Sequence, residues 1–172
     1  MHLTAFSNCQ AFFDKYINPV FQQNKQVMTI ADLGAFNVNG TVKPIFDGHR
    51  YIGIDMEAGP NVDMVCSNSK IPLDDKSCDV VVSTSCLEHD ECFWMTFIEM
   101  CRLVKPGGYI YINAPSAGPY HTHPVDCWRF YADSWAALAK WARSHDHNIE
   151  LVEHYIDQAC QWKNSVGIFC MH

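Results

Sequence analysis

Two polar stretches carry the residue types that could do chemistry. Residues 88–91 (EHDE) place a histidine among carboxylates, and residues 116–131 (SAGPYHTHPVDCWRFY) contain two further histidines. An imidazole can act as a general base near neutral pH. We therefore predict His121 and His123 as candidate catalytic bases, with Asp126 orienting one of them. This pattern indicates removal of a proton from a bound hydroxyl or a similar group.

The same stretches supply the predicted substrate-binding side chains, which are His89, Tyr120, Arg129 and Tyr131. The planar guanidinium of Arg129 could clamp an anionic group with two hydrogen bonds. Alternatively, Arg129 forms an ion pair with Asp126 or Glu88. His89 could instead have a structural role at the start of a helix.

The two histidines at His121 and His123 could also form a metal site with Asp126 or Cys127, because imidazole, carboxylate and thiolate are allowed ligands. Such short pairs are common by chance in a chain with nine histidines. We therefore predict no metal. The nine cysteines are scattered without a CxxC pair, which favours reduced thiols and a cytoplasmic protein.

Composition limits the class of protein. The 172 residues fit one domain, and 48% hydrophobic with 18% charged residues is typical of a globular chain. A net charge of -7 argues against a nucleic-acid partner. No apolar run approaches the roughly 20 residues that span a bilayer, so we expect no membrane association.

Apolar runs alternate with helical patterns along most of the chain. The predicted strands are residues 29–34, 51–56, 62–66, 78–85, 109–114, 150–156 and 166–171. The last two are joined by a loop too short for a helix, which predicts an antiparallel pair. The chain should therefore form an α/β, doubly wound, Rossmann-like sheet of about seven strands.

The helical segments are expected around this sheet. Residues 1–27 should form an N-terminal helical segment, either kinked or split in two at Asn18-Pro19, that precedes a core of residues 28–172. Further helices are predicted over residues 91–104 and from Asp133 to about residue 144, with a short one over residues 42–46. Residues 57–61 are too few for a crossover helix, so one helix should be reduced to a turn.

Polar residues follow the first two strands. Asp32 and Gly34 lie at the carboxyl end of the first strand, where open α/β sheets bind ligands. Asn37, Asn39 and Gly40 are residue types that accept tight turns. Asp55 ends the second strand, at the spacing from Gly34 that dinucleotide folds use for a ribose.

The ordered motifs ADLGAFNVNG, YIGIDM, KIPLDDKSCDVVVSTSCLEH and LVKPGGYIYINAP resemble the class I S-adenosylmethionine-dependent methyltransferases, in particular the small type 11 domain. The resemblance implies S-adenosylmethionine as cofactor and S-adenosylhomocysteine as product. It places Asp55 on the ribose hydroxyls and Asn68 and Ser69 beside the adenine. The cofactor-binding residues that it implies are Asp32, Gly34, Ala35, Phe36, Asn37, Asn39, Gly40, Asp55, Met56, Asn68, Ser69, Ser85 and Cys86.

The first loop departs from the usual acid-x-Gly-x-Gly-x-Gly pattern. Phe36 and Val38 stand where glycines are usual, although a subset of the family with a Gly-x-x-Asp/Asn-x-Asn-Gly loop is similar to GAFNVNG. In that interpretation Phe36 turns into or over the pocket, and Asn39-Gly40 supplies the turn. If Phe36 fills the cleft instead, the chain is a catalytically inactive methyltransferase-like binding domain.

The function implied by the resemblance is methyl transfer to a small molecule or a glycan, by a chain that could also pair with a second copy of itself. A nicotinamide-dependent oxidoreductase would share the strand–glycine–acid order. It would not explain the absence of a GxGxxG loop or the presence of KPGG.

Overall fold

A computed structural model of the chain describes residues 3–66 and 70–172, and these residues build a seven-stranded sheet. The strands are β1 (Thr29–Leu33), β2 (Arg50–Asp55), β3 (Met64–Val65), β4 (Cys78–Thr84), β5 (Val104–Pro115), β6 (Ile149–Ile156) and β7 (Asn164–Met171). The order is β3-β2-β1-β4-β5-β7-β6, and β7 runs antiparallel to both of its neighbours. The predicted fold class and the antiparallel C-terminal pair are confirmed.

The sheet has a helical layer on each face. The helices are α1 (Leu3–Phe12), α2 (Asn18–Asn24), α3 (Phe93–Leu103) and α4 (Asp133–Arg143). One core cluster joins α1 to one face of β1, β4, β5 and β7, and a second joins α3 and α4 to the other face. The central strands are apolar on both faces, and Ile30, Ala31, Val81 and Val82 are all fully buried.

The N-terminal helical segment is interrupted before Pro19. A π-helical turn, Phe13–Ile17, separates α1 from α2, and Pro19 lies within the first two positions of α2. Proline is tolerated there because its missing N–H has no helical partner in the first turn. Of the two predicted alternatives, the split into two helices is therefore confirmed, although the irregular turn comes before the proline.

The connections after β1 and β2, which lie within the described residues, contain no α-helix. The β1–β2 connection contains only a 3-10 turn, Lys43–Phe46, and β2 reaches β3 through a loop. Asp63 holds this loop down, because its Oδ2 accepts the Gly53 N–H at 2.8 Å and its N–H donates to the Gly53 carbonyl. The prediction that one helix of this layer is reduced to a turn is confirmed.

The KPGG motif lies elsewhere than predicted. We expected it to separate a helix from a strand beginning at residue 109, but α3 ends at Leu103 and β5 already begins at Val104. A Cβ on Gly108 would lie 2.6 Å from the Asp79 carbonyl oxygen. The glycine is therefore required by close strand packing at the register shift between β4 and β5, where the extra residues belong to β5.

Trp135 connects α4 to the sheet. It is fully buried, stacks on Phe130 and donates from Nε1 to Ser165 Oγ at 2.8 Å. A Cβ on Gly167 would lie 2.8 Å from the indole, so β7 has a glycine where this ring packs.

We expect Trp135→Ala to lower the free energy of unfolding by about 3–5 kcal/mol, because it removes a large buried ring and leaves a cavity. Urea denaturation followed by far-UV circular dichroism measures this change. The matched control is Trp141→Ala on the same helix, where the side chain is 40% exposed. A loss of equal size in the control would contradict the assignment of Trp135 as the core anchor.

Candidate active site

The loop after β1 forms the turn that its asparagines predict. Asn37 Oδ1 accepts the Gly40 N–H at 2.7 Å, and Gly34 and Gly40 have φ angles of +81° and +141°. Residues other than glycine rarely adopt these φ angles, because their Cβ atom clashes with the backbone. The predicted turn over Asn37, Asn39 and Gly40 is confirmed, and the hydrogen bond that closes it joins Asn37 to Gly40.

This loop is bound to the chain that follows β2. The N–H groups of Gly34 and Ala35 both donate to the Ile54 carbonyl, at 3.0 and 3.1 Å. The Asn37 N–H donates to Pro60 O at 2.9 Å, and Asn61 Nδ2 donates to Ala35 O at 3.0 Å. The two loops therefore form one hydrogen-bonded unit at the carboxyl edge of the sheet.

Asp55 is oriented by backbone amides of both loops. Its Oδ2 accepts the Phe36 N–H at 2.9 Å, and its Oδ1 accepts the Met56 N–H at 2.7 Å. A carboxylate has about four lone-pair sites, so each oxygen can still accept a hydroxyl. The half-buried carboxylate is therefore fixed in position with acceptor capacity left, while the Met56 side chain beside it is 61% exposed.

Phe36 packs against the loop after β2. A Cβ on Gly59 would lie 2.2 Å from Phe36 Cε2, which shows that the ring rests on this glycine. The side chain is half-buried. Phe36 therefore packs on the loop after β2, beside Asp55. The sequence-based prediction placed its ring in or over the pocket.

Gly34 faces Cys86, which follows β4. A Cβ on Gly34 would lie 2.4 Å from Cys86 Cβ, so the glycine makes room for this side chain. Burial, followed by the charges of Glu88, Asp90 and Asp55, raises the pKa of the Cys86 thiol. Cys86 is therefore a packed neutral thiol on which all three carboxylates act electrostatically.

Asp32 has a partner that the sequence does not reveal. Its buried carboxylate accepts a hydrogen bond from the Tyr51 hydroxyl, across the β1–β2 pair. Burial is the largest cause that raises the pKa of Asp32 from 3.8 to about 7, against the lowering effect of Tyr51. The Asp32 side chain therefore links β1 to β2 just before the loop of residues 34–40 begins.

Two buried polar atoms lie unsatisfied at the ends of β4 and β5. Thr84 Oγ1 and Asn113 Nδ2 have no hydrogen-bond partner among the described residues, and Thr84 pairs with Asn113 in the strand register. Buried polar groups in native proteins are almost always paired. The next residue, Ser85, has a φ angle of +53°, which bends the chain away from the sheet at this point.

Sequence reasoning missed Thr84 and Asn113, although their position at the ends of two adjacent strands is the signal that could have found them. The predicted adenine contacts Asn68 and Ser69 lie outside the described residues. Asn39 is exposed in the turn.

A histidine cluster forms where the loop after β5 meets the 3-10 turn after β4, Leu87–His89. The ring centroids of His89 and His121 are 4.9 Å apart, and His123 lies 6.0 Å from each of them. Burial is the main cause that lowers the pKa of His89. The structure therefore brings both predicted bases, His121 and His123, beside His89.

Glu88 is the buried acid of this cluster. It is 2% exposed, and its Oε2 has no hydrogen-bond partner among the described residues. Burial raises the pKa of Glu88 from 4.5 to about 7. Its main-chain carbonyl accepts the N–H groups of Cys127 and Trp128, at 2.8 and 3.2 Å, and so anchors the loop after β5.

Arg129 pairs with Asp126. Its Nη1 and Nη2 donate to the two carboxylate oxygens at 2.6 and 2.7 Å, and Nη2 also donates to Pro119 O. The guanidinium beside it holds the pKa of the buried Asp126 well below its usual range. The fork of Arg129 is thus occupied by Asp126, which is the alternative to the predicted anion clamp.

Asp126 in turn holds His121. Its Oδ2 accepts the His121 N–H at 2.8 Å and lies 3.2 Å from His121 Nδ1. The prediction that Asp126 orients a histidine therefore agrees with this geometry. The predicted substrate contacts Tyr120 and Tyr131 lie at the rim of the loop, where they are 77% and 68% exposed.

Comparison with known proteins gives three kinds of similarity. A family model described as a methyltransferase domain matches residues 41–112. An uncharacterized methyltransferase of Mycobacterium avium is 30% identical over an alignment of 113 residues, with coverage of 58% of this chain and 44% of that protein. An uncharacterized methyltransferase of Mycobacterium tuberculosis is 28% identical over 107 residues, covering 62% of this chain and 42% of the relative.

The predicted resemblance to the class I S-adenosylmethionine-dependent methyltransferases is therefore confirmed over this matched segment. The chain spans less than half the length of these curated methyltransferases. The segment matched by the family model contains Asp55 and begins just after the variant loop of residues 34–40.

Solved structures of other proteins, a methyltransferase among them, share the fold. Burkholderia thailandensis 1,6-didemethyltoxoflavin-N1-methyltransferase, bound to 1,6-didemethyltoxoflavin and S-adenosylhomocysteine, superposes with a TM-score of 0.63 at 14% identity, covering 98% of this chain and 84% of that one. The YcgJ protein of Bacillus subtilis gives a TM-score of 0.65 at 14% identity, with coverage of 91% and 73%. Among the residues that the structure describes, no helix has the length and apolar character needed to cross a membrane.

The buried Asp32 predicts a pH dependence. Because its pKa is raised from 3.8 to about 7, the folded chain binds more protons than the unfolded chain between these values. Stability should therefore fall as the pH rises from 4 to 7, by up to about 4 kcal/mol from this group.

We expect Asp32→Asn to flatten the dependence of the free energy of unfolding on pH in this window, because the amide keeps an acceptor for Tyr51 but does not titrate. Urea titrations at several pH values measure this slope. Asp74→Asn, at an exposed carboxylate, is the control and should leave the slope unchanged. An unaltered slope in Asp32→Asn would show that another group titrates.

Proposed function

We propose that this chain binds S-adenosylmethionine at the carboxyl edge of its sheet and transfers the methyl group to a small-molecule or glycan acceptor. The observation that carries the proposal is the fixed carboxylate of Asp55 at the end of β2, beside the glycine turn that follows β1. A carboxylate with two available oxygens suits the vicinal hydroxyls of an adenosine ribose.

The residues at this edge fit the cofactor. Besides Asp55, the unsatisfied Thr84 Oγ1 and Asn113 Nδ2 supply an acceptor or donor at the ends of β4 and β5. Ala35, Phe36 and Met56 would line the adenosine side, and Ser85 and Cys86 the opposite side. Asn68 and Ser69 remain our proposed adenine contacts from the sequence.

When it is bound, S-adenosylmethionine supplies a methyl group on a positively charged sulfur. The chain's own residues then have to position the acceptor, exclude water and take up the acceptor's proton. We assign proton uptake to His121 or His123 and the orientation of His121 to Asp126, which contacts both its N–H and its ring. His89, Tyr120 and Tyr131 would contact the acceptor, with Arg129 acting through Asp126.

The proposed class of acceptor rests on the net charge of the chain and on the exposed aromatic side chains at the rim of the loop after β5. The net charge of -7 and the carboxylates near Cys86 disfavour a polyanionic acceptor such as nucleic acid. The exposed tyrosines at the rim, Tyr120 and Tyr131, are suited to stacking on a sugar or a small ring. The acceptor is therefore proposed as a small molecule or glycan.

We expect isothermal titration calorimetry to show binding of both S-adenosylmethionine and S-adenosylhomocysteine. Asp55→Asn should weaken both by at least about tenfold, because it removes charge-assisted hydrogen bonds that contribute roughly 1.5–3 kcal/mol each. The matched control is Glu57→Gln, an exposed acid two residues along the same loop, which should bind as the wild type does.

Circular dichroism of Asp55→Asn separates a loss of binding from a loss of fold. If neither ligand bound the wild type at millimolar concentration, the proposal would be wrong. The chain would then be a methyltransferase-like domain that binds something else without catalysis.

A further inference from the structure

We propose that Glu88, His89 and His121 bind a divalent transition-metal ion, with zinc as the best match. This departs from the sequence-based expectation of no metal. One potential ligand atom from each of the three side chains lies within 4.8 Å of the others. Two imidazoles and one carboxylate form a donor set that zinc and neighbouring first-row metals use in proteins.

The tautomer of His89 leaves the lone pair of its Nε2 atom facing the carboxylate of Glu88. His89 Nδ1 lies 2.5 Å from the Val125 carbonyl oxygen, and because a carbonyl can only accept, Nδ1 carries the proton. In the neutral ring, Nε2 is then an acceptor. It lies 3.6 Å from Glu88 Oε1, so two acceptors face each other. A cation between them would satisfy both.

Two further atoms of the cluster lack partners. Glu88 Oε2 is buried without a hydrogen-bond partner among the described residues, and buried His121 Nδ1 makes no hydrogen bond there although Asp126 Oδ2 lies 3.2 Å away. Glu88 is only 2% exposed, so water does not compensate its carboxylate freely. Leaving buried polar atoms unpaired is costly, and a bound ion would remove that cost.

The surroundings have the features of a metal site. The contact of His89 with a carbonyl is the kind of outer hydrogen bond that orients metal-bound histidines. Asp126, held by Arg129, adds a second negative charge 3.2 Å from His121 Nδ1. The side chains of His89 and His121 are 15% and 28% exposed, so an ion could enter from solvent.

The change in geometry needed is small. Ligands about 2.0–2.1 Å from a tetrahedral zinc are about 3.4 Å apart. Atoms now up to 4.8 Å apart would have to approach by about 1.4 Å at most, which rotation of the imidazole rings can supply. His123, whose ring lies 6.0 Å from both histidine rings, is outside this group of three.

Three protein ligands leave at least one position open, as catalytic zinc sites do. An ion there could hold an acceptor oxygen and lower its pKa. This role rests on the proposed methyl transfer, whereas the binding of the ion does not.

The test is a titration of the purified, metal-free chain with cobalt(II), followed by absorption spectroscopy, and with zinc by calorimetry. We expect one equivalent to bind, with a cobalt spectrum of nitrogen and oxygen ligands. His89→Ala and His121→Ala should each weaken binding at least tenfold. The matched control is His172→Ala, because His172 also pairs with a glutamate, at 3.0 Å, but on the exposed surface.

Glu88→Gln should also weaken binding tenfold. Because it keeps the shape of the buried side chain, it tests the site even if the alanine variants fail to fold. Equal affinity in all variants, no stoichiometric binding, or a sulfur-to-metal charge-transfer band indicating cysteine ligands would each overturn the proposal. Calorimetry with S-adenosylmethionine on the metal-free chain keeps the two proposals apart, since either ligand can bind when the other does not.

Discussion

The parallel pairing of β1 with β2 and β4 is the constraint on which the candidate site depends. Leu33 lies opposite Ile54 on one side and Ser83 on the other, so the three strands end at nearly the same level. The residues that follow, Gly34 and Asp55 among them, must then meet at one edge. The Ile54 carbonyl accepts two N–H groups from the loop after β1, which extends the sheet's hydrogen bonding into that loop.

The variant loop is stabilised by its neighbour. In place of the usual series of glycines, residues 34–40 have an asparagine turn and hydrogen bonds to Pro60 and Asn61. These contacts are available because β2 reaches β3 through a loop instead of a helix, and Asp63 holds that loop against Gly53. The missing helix and the missing glycines are therefore connected features of one arrangement.

Local patterns could be read from the sequence, and contacts between distant segments could not. Apolar runs predicted the strands because buried parallel strands need such residues on both faces. Asp55 could be predicted because strand ends and spacing define its place. The Tyr51–Asp32 pair and the fit of Cys86 on Gly34 depend on packing between strands. The choice of Arg129 between Asp126 and Glu88 likewise depends on how its loop folds, which composition does not determine.

The loop after β5, which carries the proposed acceptor-binding residues, is held in place by several contacts within the chain. The loop after β5 is attached to Glu88 through its main-chain carbonyl, and the Arg129–Asp126 pair fixes the backbone of His121. Glu88 and Asp55 both act electrostatically on Cys86, which links the acidic end of the histidine cluster to the glycine edge. Negative charge concentrated there would attract a cation, whether a metal ion or a sulfonium. One electrostatic feature could thus serve both proposed ligands, which explains why a carboxylate as buried as Glu88 is placed at this junction.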